Sequence, residues 1–134
     1  MHLLKDLLAE EFQYTVSDQI VCNRSILDIL SKHQECGAAI NRSTFKAVTN
    51  CGCINIQSSK NKVSDSTSLA ELKNIMDSHL KGKLCLQCRE AVEKDIGKSL
   101  VYLAALCNSL DINLFDIIIK EYNKTKLLRH YNLT

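Results

Sequence analysis

Residues 86–110 read LQCREAVEKDIGKSLVYLAALCNSL, and this stretch decides the fold class. Its apolar residues recur three and four positions apart, which is the period of an amphipathic helix. They form one stripe of Leu100, Leu103, Ala104 and Cys107, widened by Ile96, Leu106 and Leu110. The pattern predicts a long helix from about Leu86 to Leu110 that serves as the central packing element, with Leu103 and Leu106 in the core.

The rest of the chain is also typical of an all-α protein. Its 134 residues include no Pro and only four Gly, so helix-breaking residues are scarce. We expect a short first helix around Leu3 to Phe12, and a second that Asp18 caps and that runs towards Ile40. Asn113 can cap a last helix beginning at Leu114. The length predicts one domain over residues 1–134, whose main core does not depend on a metal.

An insert at about residues 41–88 interrupts this helical pattern. Residues 41–66 are rich in Ser, Asn, Thr and Lys, and the alternation at residues 54–56 predicts a small hairpin. Ser68 and Glu71 form a capping box for a helix to about Leu80, and Gly82 is a stop signal.

Two closely spaced cysteine pairs lie within or at the end of the insert. They are Cys51 with Cys53 and Cys85 with Cys88. Two such pairs meeting in space form a tetrahedral zinc site, for which Cys-x-x-Cys is the stronger half of the signal. Four thiolates leave no coordination position open for water or substrate, so this zinc is expected to be structural.

Other interpretations of the cysteines are also open. All four could be buried apolar residues, or Cys85 and Cys88 could form a redox dithiol. His79 or His33 could replace one zinc ligand. The remaining cysteines, Cys22, Cys36 and Cys107, lie on helical stripes and are expected in the core.

Charge and hydropathy exclude several classes of partner. The net charge is +2 with both signs mixed along the chain, so a nucleic-acid interface is not expected. No apolar run reaches the ~20 residues that a membrane span needs, and the N-terminus lacks the pattern of a signal peptide. We expect a cytoplasmic protein, in which cysteines stay reduced and available to a metal.

Two segments resemble the MazG-like all-α nucleoside triphosphate pyrophosphohydrolases. Residues 32–40, KHQECGAAI, are similar to that family's Lys-x-x-Glu-x-Gly-Glu-Leu-x-x-Ile helix. Residues 95–114 are similar to its acidic helix, the turn that follows and the Leu that opens the last helix. Lys120, Asn123 and Lys126 resemble its closing basic and amide positions. The similarity covers about half of the chain. It implies a MazG-like helical bundle, a Mg²⁺-dependent reaction on a nucleotide, and assembly as a homo-oligomer.

The resemblance breaks at the metal-binding carboxylates. The family's Glu-x-x-Glu and Glu-x-x-Asp patterns put carboxylates on one helix face to hold Mg²⁺. Here Glu35 is followed by Ala38, and Asp95 by Lys98. Lys98 is expected to act directly on phosphate oxygens in place of part of the metal's charge.

Other arrangements of these charged residues are open. Glu90 and Glu93 form a second pair at the same spacing and could rebuild a Mg²⁺ site, as could Glu10 and Glu11. Alternatively, Glu35, Asp95 and Lys98 form an ordinary ion-pair cluster between two helices.

Three functions follow from these patterns. The first is a MazG-like protein with a structural zinc site that is catalytically impaired and binds a nucleotide or a protein partner. The second is an active Mg²⁺-dependent nucleoside triphosphate pyrophosphohydrolase. The third is a zinc-stabilised protein-interaction module.

Overall fold

A computed structural model describes residues 2–20 and 25–133, with side chains described at 7–20 and 25–128. The elements in order are α1 (His2–Gln19), α2 (Ile26–Lys46), a wide helical turn (Ala47–Cys51), β1 (Ile54–Ile56), α3 (Leu69–Ile75), β2 (Leu80–Gly82), α4 (Leu86–Ser109) and α5 (Leu114–Leu133). The two short strands form one antiparallel sheet. The prediction of an all-α protein is confirmed, whereas the predicted local hairpin within residues 41–66 is wrong, because β1 pairs with a strand that lies beyond α3.

The helices α2 and α4 form the main packed pair and run antiparallel. The end of α2 meets the start of α4 at the cysteines, whereas Ile29 near the start of α2 shares a core with Ala104 and Ala105 near the end of α4. Val16 of α1 completes this core. Ala104 is fully buried, because small side chains let the three helices approach closely.

The predicted apolar stripe of α4 is confirmed in part. Its small residues Ala104 and Cys107 are buried, whereas Leu103 and Leu106, which were expected in the core, are half-buried. The outer positions of the predicted stripe, Ile96, Leu100 and Leu110, are exposed. Cys36 and Cys107 are buried as predicted, and Cys22 lies outside the described residues.

The predicted boundary between the first two helices is wrong. Asp18 does not begin the second helix, because α1 continues to Gln19 with Val16 buried and Ile20 packed against the same core. Ser25 caps α2 instead, and its hydroxyl accepts a hydrogen bond from the N–H of Leu27 at 3.3 Å.

The predicted start of the insert at residue 41 is also too early. The helix α2 runs through the polar segment to Lys46. Ser43 and Thr44 are accommodated because their hydroxyl groups donate to the carbonyl of Ile40, at 3.1 and 2.8 Å. The change in composition at residue 41 therefore falls within the last turns of α2, and the irregular part of the polar segment begins only after β1.

The strands pair across the insert and not with a near neighbour. Ile54 lies opposite Gly82 and Ile56 opposite Leu80, and the N–H of Gln57 donates to the carbonyl of His79 at 2.8 Å. The capping box of Ser68 with Glu71 is confirmed. The helix that it starts ends at Ile75, not near residue 80, because Leu80 belongs to β2.

The turn between α4 and α5 follows the predicted cap. Asn113 Oδ1 accepts a hydrogen bond from the N–H of Asp116 at 3.1 Å, and Asp111 has a left-handed backbone with φ of 56°.

Within the described ranges no single helix is long and apolar enough to cross a membrane, and only α4 and α5 together, bent by 109°, reach that length and composition.

Candidate metal centre

The first cysteine pair is presented by the wide turn after α2. Cys51 is the last residue of that turn, and Gly52 follows with φ of 77°, a left-handed conformation that suits glycine. The N–H of Gly52 donates to the carbonyl of Ala47 at 2.9 Å and closes the turn. The chain then reverses, so Cys53 lies between the turn and β1.

The second pair lies on the first turn of α4. Cys85 is the N-cap residue, and its sulfur accepts a hydrogen bond from the N–H of Cys88 at 3.4 Å. A thiol thus takes the capping role that Ser or Asp usually has. This contact places both sulfur atoms on the same side of the helix start.

The strand pairing brings these two pairs together. Gly82 of β2 lies opposite Ile54 of β1, and a Cβ atom at Gly82 would lie 2.5 Å from the carbonyl oxygen of Cys53. Only a glycine permits this close approach. Three residues after Gly82 the chain reaches Cys85.

The four sulfur atoms form a compact cluster. They all lie within 4.8 Å of one another, and Cys51 Sγ is 3.8 Å from Cys85 Sγ. Sulfur atoms at about 2.3 Å from a tetrahedral zinc ion are about 3.8 Å apart, so the spacing fits such an ion. The cluster can hold a metal ion, and it is the one group of three or more such ligands found in the described part of the chain.

The environment of the cluster favours metal-ligating thiols over buried apolar cysteines. Cys51 is exposed and the other three cysteines are half-buried, in contrast to Cys36 and Cys107. The exposure of the four clustered cysteines therefore agrees better with metal ligands than with buried apolar residues. His79 is not in the cluster, because its Nε2 atom contacts the carbonyl of Ser59 at 2.8 Å.

The start of α4 also stabilises a thiolate. The backbone N–H of Cys88, with the Cys88 side chain, lowers the pKa of Cys85 to about 7. The hydrogen bond between the two side chains in turn raises the pKa of Cys88 to about 12, because the Cys88 thiol donates to the Cys85 sulfur and partial burial disfavours a second charge. A divalent cation bound between the sulfur atoms would displace these protons and favour four thiolates.

The predicted nucleotide or magnesium residues are dispersed. Glu35 is exposed and pairs with Lys32 at 3.1 Å, while Asp95 is half-buried on the side of α4 that faces α2. Lys98 is exposed, as is Ala38. The predicted ion-pair cluster is therefore not formed, because Glu35 has its partner on its own helix.

The alternative acidic pair and the α5 residues are not among the residues that line the space between α2 and α4. Glu90 and Glu93 are exposed, and Glu93 lies 4.0 Å from Arg89. Asn123 and Lys126 are exposed on α5, where the Lys126 ammonium lies 6.0 Å from the centre of the Tyr122 ring. None of these residues joins a metal-binding group within residues 7–20 and 25–128.

A groove between α2 and α4 lies next to the cysteine cluster. It has a volume of about 410 Å³ and includes Cys88 in its wall. Arg42 and Lys46 of α2 and Asp95 of α4 are the charged residues that line it. Of these three residues, only Asp95 was predicted from the sequence to belong to a site. The spacing of four between Arg42 and Lys46 was a signal that they share a helix face.

No protein-family model, curated protein or solved structure matches the chain. The fold and the site define a mostly helical protein in which four cysteines at the junction of two long helices can hold a metal ion.

Proposed function

We propose that this chain is a zinc-stabilised helical protein that binds the phosphate groups of a nucleotide between α2 and α4. It hydrolyses the nucleotide slowly or not at all. The observation that carries the proposal is the charge of the groove. Arg42 and Lys46 face a single carboxylate, Asp95, beside the cysteine cluster. Two cations against one carboxylate suit an anion better than they suit Mg²⁺.

Zinc is the metal that the ligand set favours. Thiolates are soft ligands, and four of them at tetrahedral spacing are typical of structural zinc. Such an ion would join the end of α2 to the start of α4 and fix the wall of the groove at Cys88. We place the protein in the cytoplasm, where cysteines remain reduced.

The size and the chemistry of the groove favour a ligand with phosphate groups. A volume of about 410 Å³ falls within the range of small-molecule sites, about 300–1,000 Å³. Arg42 can offer two parallel N–H groups to a phosphate, while the Lys46 ammonium acts as a point charge. Lys98, on α4 and exposed, can reinforce binding from outside the groove.

The MazG-like resemblance supplies the nucleotide part of this proposal. Its two key positions, Glu35 and Asp95, lie on α2 and α4, the two helices that form the main packed pair. The same resemblance would predict Mg²⁺-dependent hydrolysis. Asp95 is, however, the sole carboxylate among the residues lining the groove, which favours binding over catalysis.

Calorimetric titration of the zinc-loaded protein with nucleoside triphosphates, with and without Mg²⁺, tests the proposal. We expect binding that needs no Mg²⁺ and negligible release of pyrophosphate. Replacing both Arg42 and Lys46 by Ala should weaken binding at least ~10-fold, because charge-assisted hydrogen bonds are lost. The matched control replaces Lys60 and Lys62, two exposed cations of the insert, and should bind as the natural protein does.

Two results would contradict this function. Mg²⁺-dependent release of pyrophosphate would establish the active pyrophosphohydrolase. A protein that binds no nucleoside triphosphate, with or without Mg²⁺, would leave the zinc-stabilised interaction module as the function.

A further inference from the structure

Asp95 is a half-buried carboxylate on the side of α4 that faces α2. Among the described residues it takes part in no ion pair, although Arg42 and Lys46 line the same groove. Polar groups that are partly withdrawn from water normally have hydrogen-bond partners. The carboxylate of Asp95 is therefore free to accept hydrogen bonds from a molecule bound in the groove.

The charged groups are spread along the length of the groove. Lys46 and Cys88 line its end next to the cysteine cluster. From there, seven positions lead back along α2 to Ala39 and seven lead on along α4 to Asp95, and both of these residues line the groove as well. Because the helices are antiparallel and rise about 1.5 Å per residue, Asp95 lies at the level of Ala39, about 10 Å from the level of Lys46. One end of the groove is thus cationic and the other presents a carboxylate.

A nucleotide has a matching division of chemistry along its length. Its phosphates are anionic at one end, its base carries hydrogen-bond donors at the other, and the ribose separates the two. The small side chains of Ala39 and Ala91 line the groove near Asp95 and leave room for a flat ring. A nucleotide whose phosphates contact Arg42 and Lys46 would therefore direct its base towards Asp95.

We propose that Asp95 selects guanine as the base of the bound nucleotide, an inference that rests on the proposed function. The Watson–Crick edge of guanine presents two adjacent donors, the N1–H and the N2 amino group. The two oxygens of one carboxylate can accept both hydrogen bonds at once. The proposal thus gives the single carboxylate of the groove a role in specificity.

The other common bases offer this carboxylate a poorer match. Adenine and cytosine each place a ring-nitrogen acceptor beside their amino group, and uracil places a carbonyl on either side of its N–H. With any of these bases, one carboxylate oxygen faces a lone pair and receives no hydrogen bond. A site that leaves a charged acceptor unpaired discriminates strongly against the ligand that causes it.

Calorimetric titration of the full-length, zinc-loaded protein with the triphosphates of guanosine, adenosine, cytidine and uridine tests this selection. We expect guanosine triphosphate to bind at least ~10-fold more tightly than the other three, because only its base satisfies both carboxylate oxygens. Inosine triphosphate, whose base keeps N1–H and lacks the N2 amino group, should bind more weakly than guanosine triphosphate.

The substitution Asp95→Asn should exchange guanine for xanthine. The amide oxygen can accept from the N1–H of xanthine while the amide nitrogen donates to its C2 carbonyl, so xanthosine triphosphate should gain at least ~10-fold relative to guanosine triphosphate. The matched control is Asp28→Asn, which changes an exposed carboxylate of α2 outside the groove and should keep the preference for guanine. Circular dichroism checks that both variants are folded.

Equal affinities of the natural protein for guanosine and adenosine triphosphates would overturn the role of Asp95 and leave the phosphate-binding function in place. Equal loss of affinity for every nucleotide in a folded Asp95→Asn variant would also overturn it, because the carboxylate would then hold the ribose. If that variant does not fold, the comparison of guanosine with inosine triphosphate decides, and equal binding refutes the proposal. Binding of no nucleoside triphosphate would remove the proposed function together with this inference.

Discussion

Gln13 of α1 and Asn108 of α4 hold each other through two hydrogen bonds. Gln13 Nε2 donates to Asn108 Oδ1 at 3.0 Å, and Asn108 Nδ2 donates to the main-chain oxygen of Gln13 at 2.9 Å. The Gln13 side chain also donates to the carbonyl of Ile112 at 2.7 Å and accepts from the N–H of Leu114 at 2.8 Å. One side chain thus joins α1, the end of α4 and the start of α5.

Replacing Gln13 by Ala should destabilise the protein by about 1–3 kcal/mol, because it leaves half-buried polar groups of Asn108 and the α4–α5 turn without their partner. Denaturant unfolding measures the change in the free energy of unfolding. Replacing the exposed Gln34 by Ala is the control and should change stability by less than about 0.5 kcal/mol. Equal effects of the two substitutions would show that the contacts of Gln13 contribute nothing.

One zinc ion per chain is expected in protein purified without chelator, as measured by elemental analysis. Replacing Cys85 by Ser should abolish stoichiometric zinc, because a hydroxyl is a poor ligand for this ion. The helical circular dichroism should remain, since the core of Val16, Ile29 and Ala104 lies elsewhere. Replacing the buried Cys36 by Ala should leave the zinc content unchanged. Metal-free protein in which all four thiols of the cysteine cluster can be titrated would refute the zinc assignment.

Replacing Gly82 by Ala should weaken zinc binding without removing any ligand. The added Cβ would lie 2.5 Å from the carbonyl oxygen of Cys53, and φ of 88° is unfavourable for alanine. The two strands must separate, and the cysteine pairs separate with them. Competition with a chelator should show faster or more complete zinc loss. Gly37→Ala is the control, because nothing lies within 4 Å of its added Cβ and alanine favours the helix.

Acid should weaken the turn that leads into β2 through Asp77. The N–H of His79 and the ammonium of Lys81 hold the pKa of the Asp77 carboxyl below its ordinary value of 3.8. A lowered pKa in the folded state stabilises this turn above about pH 4, and this contribution is lost as the pH falls through the folded-state pKa. An NMR titration should give a midpoint below 3.8 for Asp77. A midpoint at or above that value would contradict the hydrogen bonds to its carboxylate.

Local signals in the sequence were enough for several features of the fold. The start of α4, the capping box at Ser68 and the cap at Asn113 each depend on residues within one helical turn, so the sequence carries them directly. The cysteine cluster was also predictable, because short thiol spacings are characteristic of metal ligation. The identity of the metal stays a prediction.

Features that depend on distant residues were not predictable in the same way. The pairing of β1 with β2 joins segments on either side of a whole helix, and alternation at residues 54–56 says nothing about the partner. The extension of α2 to Lys46 runs against the poor helix propensity of Asn, Ser and Thr, because packing against α4 overrides it. The groove needed both helices in place before Arg42 and Lys46 could be related to Asp95.

The contact between Gln57 and His79 has a consequence for how the protein can be altered. The chain leaves the sheet and returns to it at this point, where the N–H of Gln57 and the carbonyl of His79 are 2.8 Å apart. Residues 58–78 thus form a connection whose two ends are held together by the sheet. The entropic cost of closing such a connection grows only slowly with its length. A peptide label or a foreign domain inserted between residues 58 and 67, before α3, should therefore leave the cysteines and the helices in place.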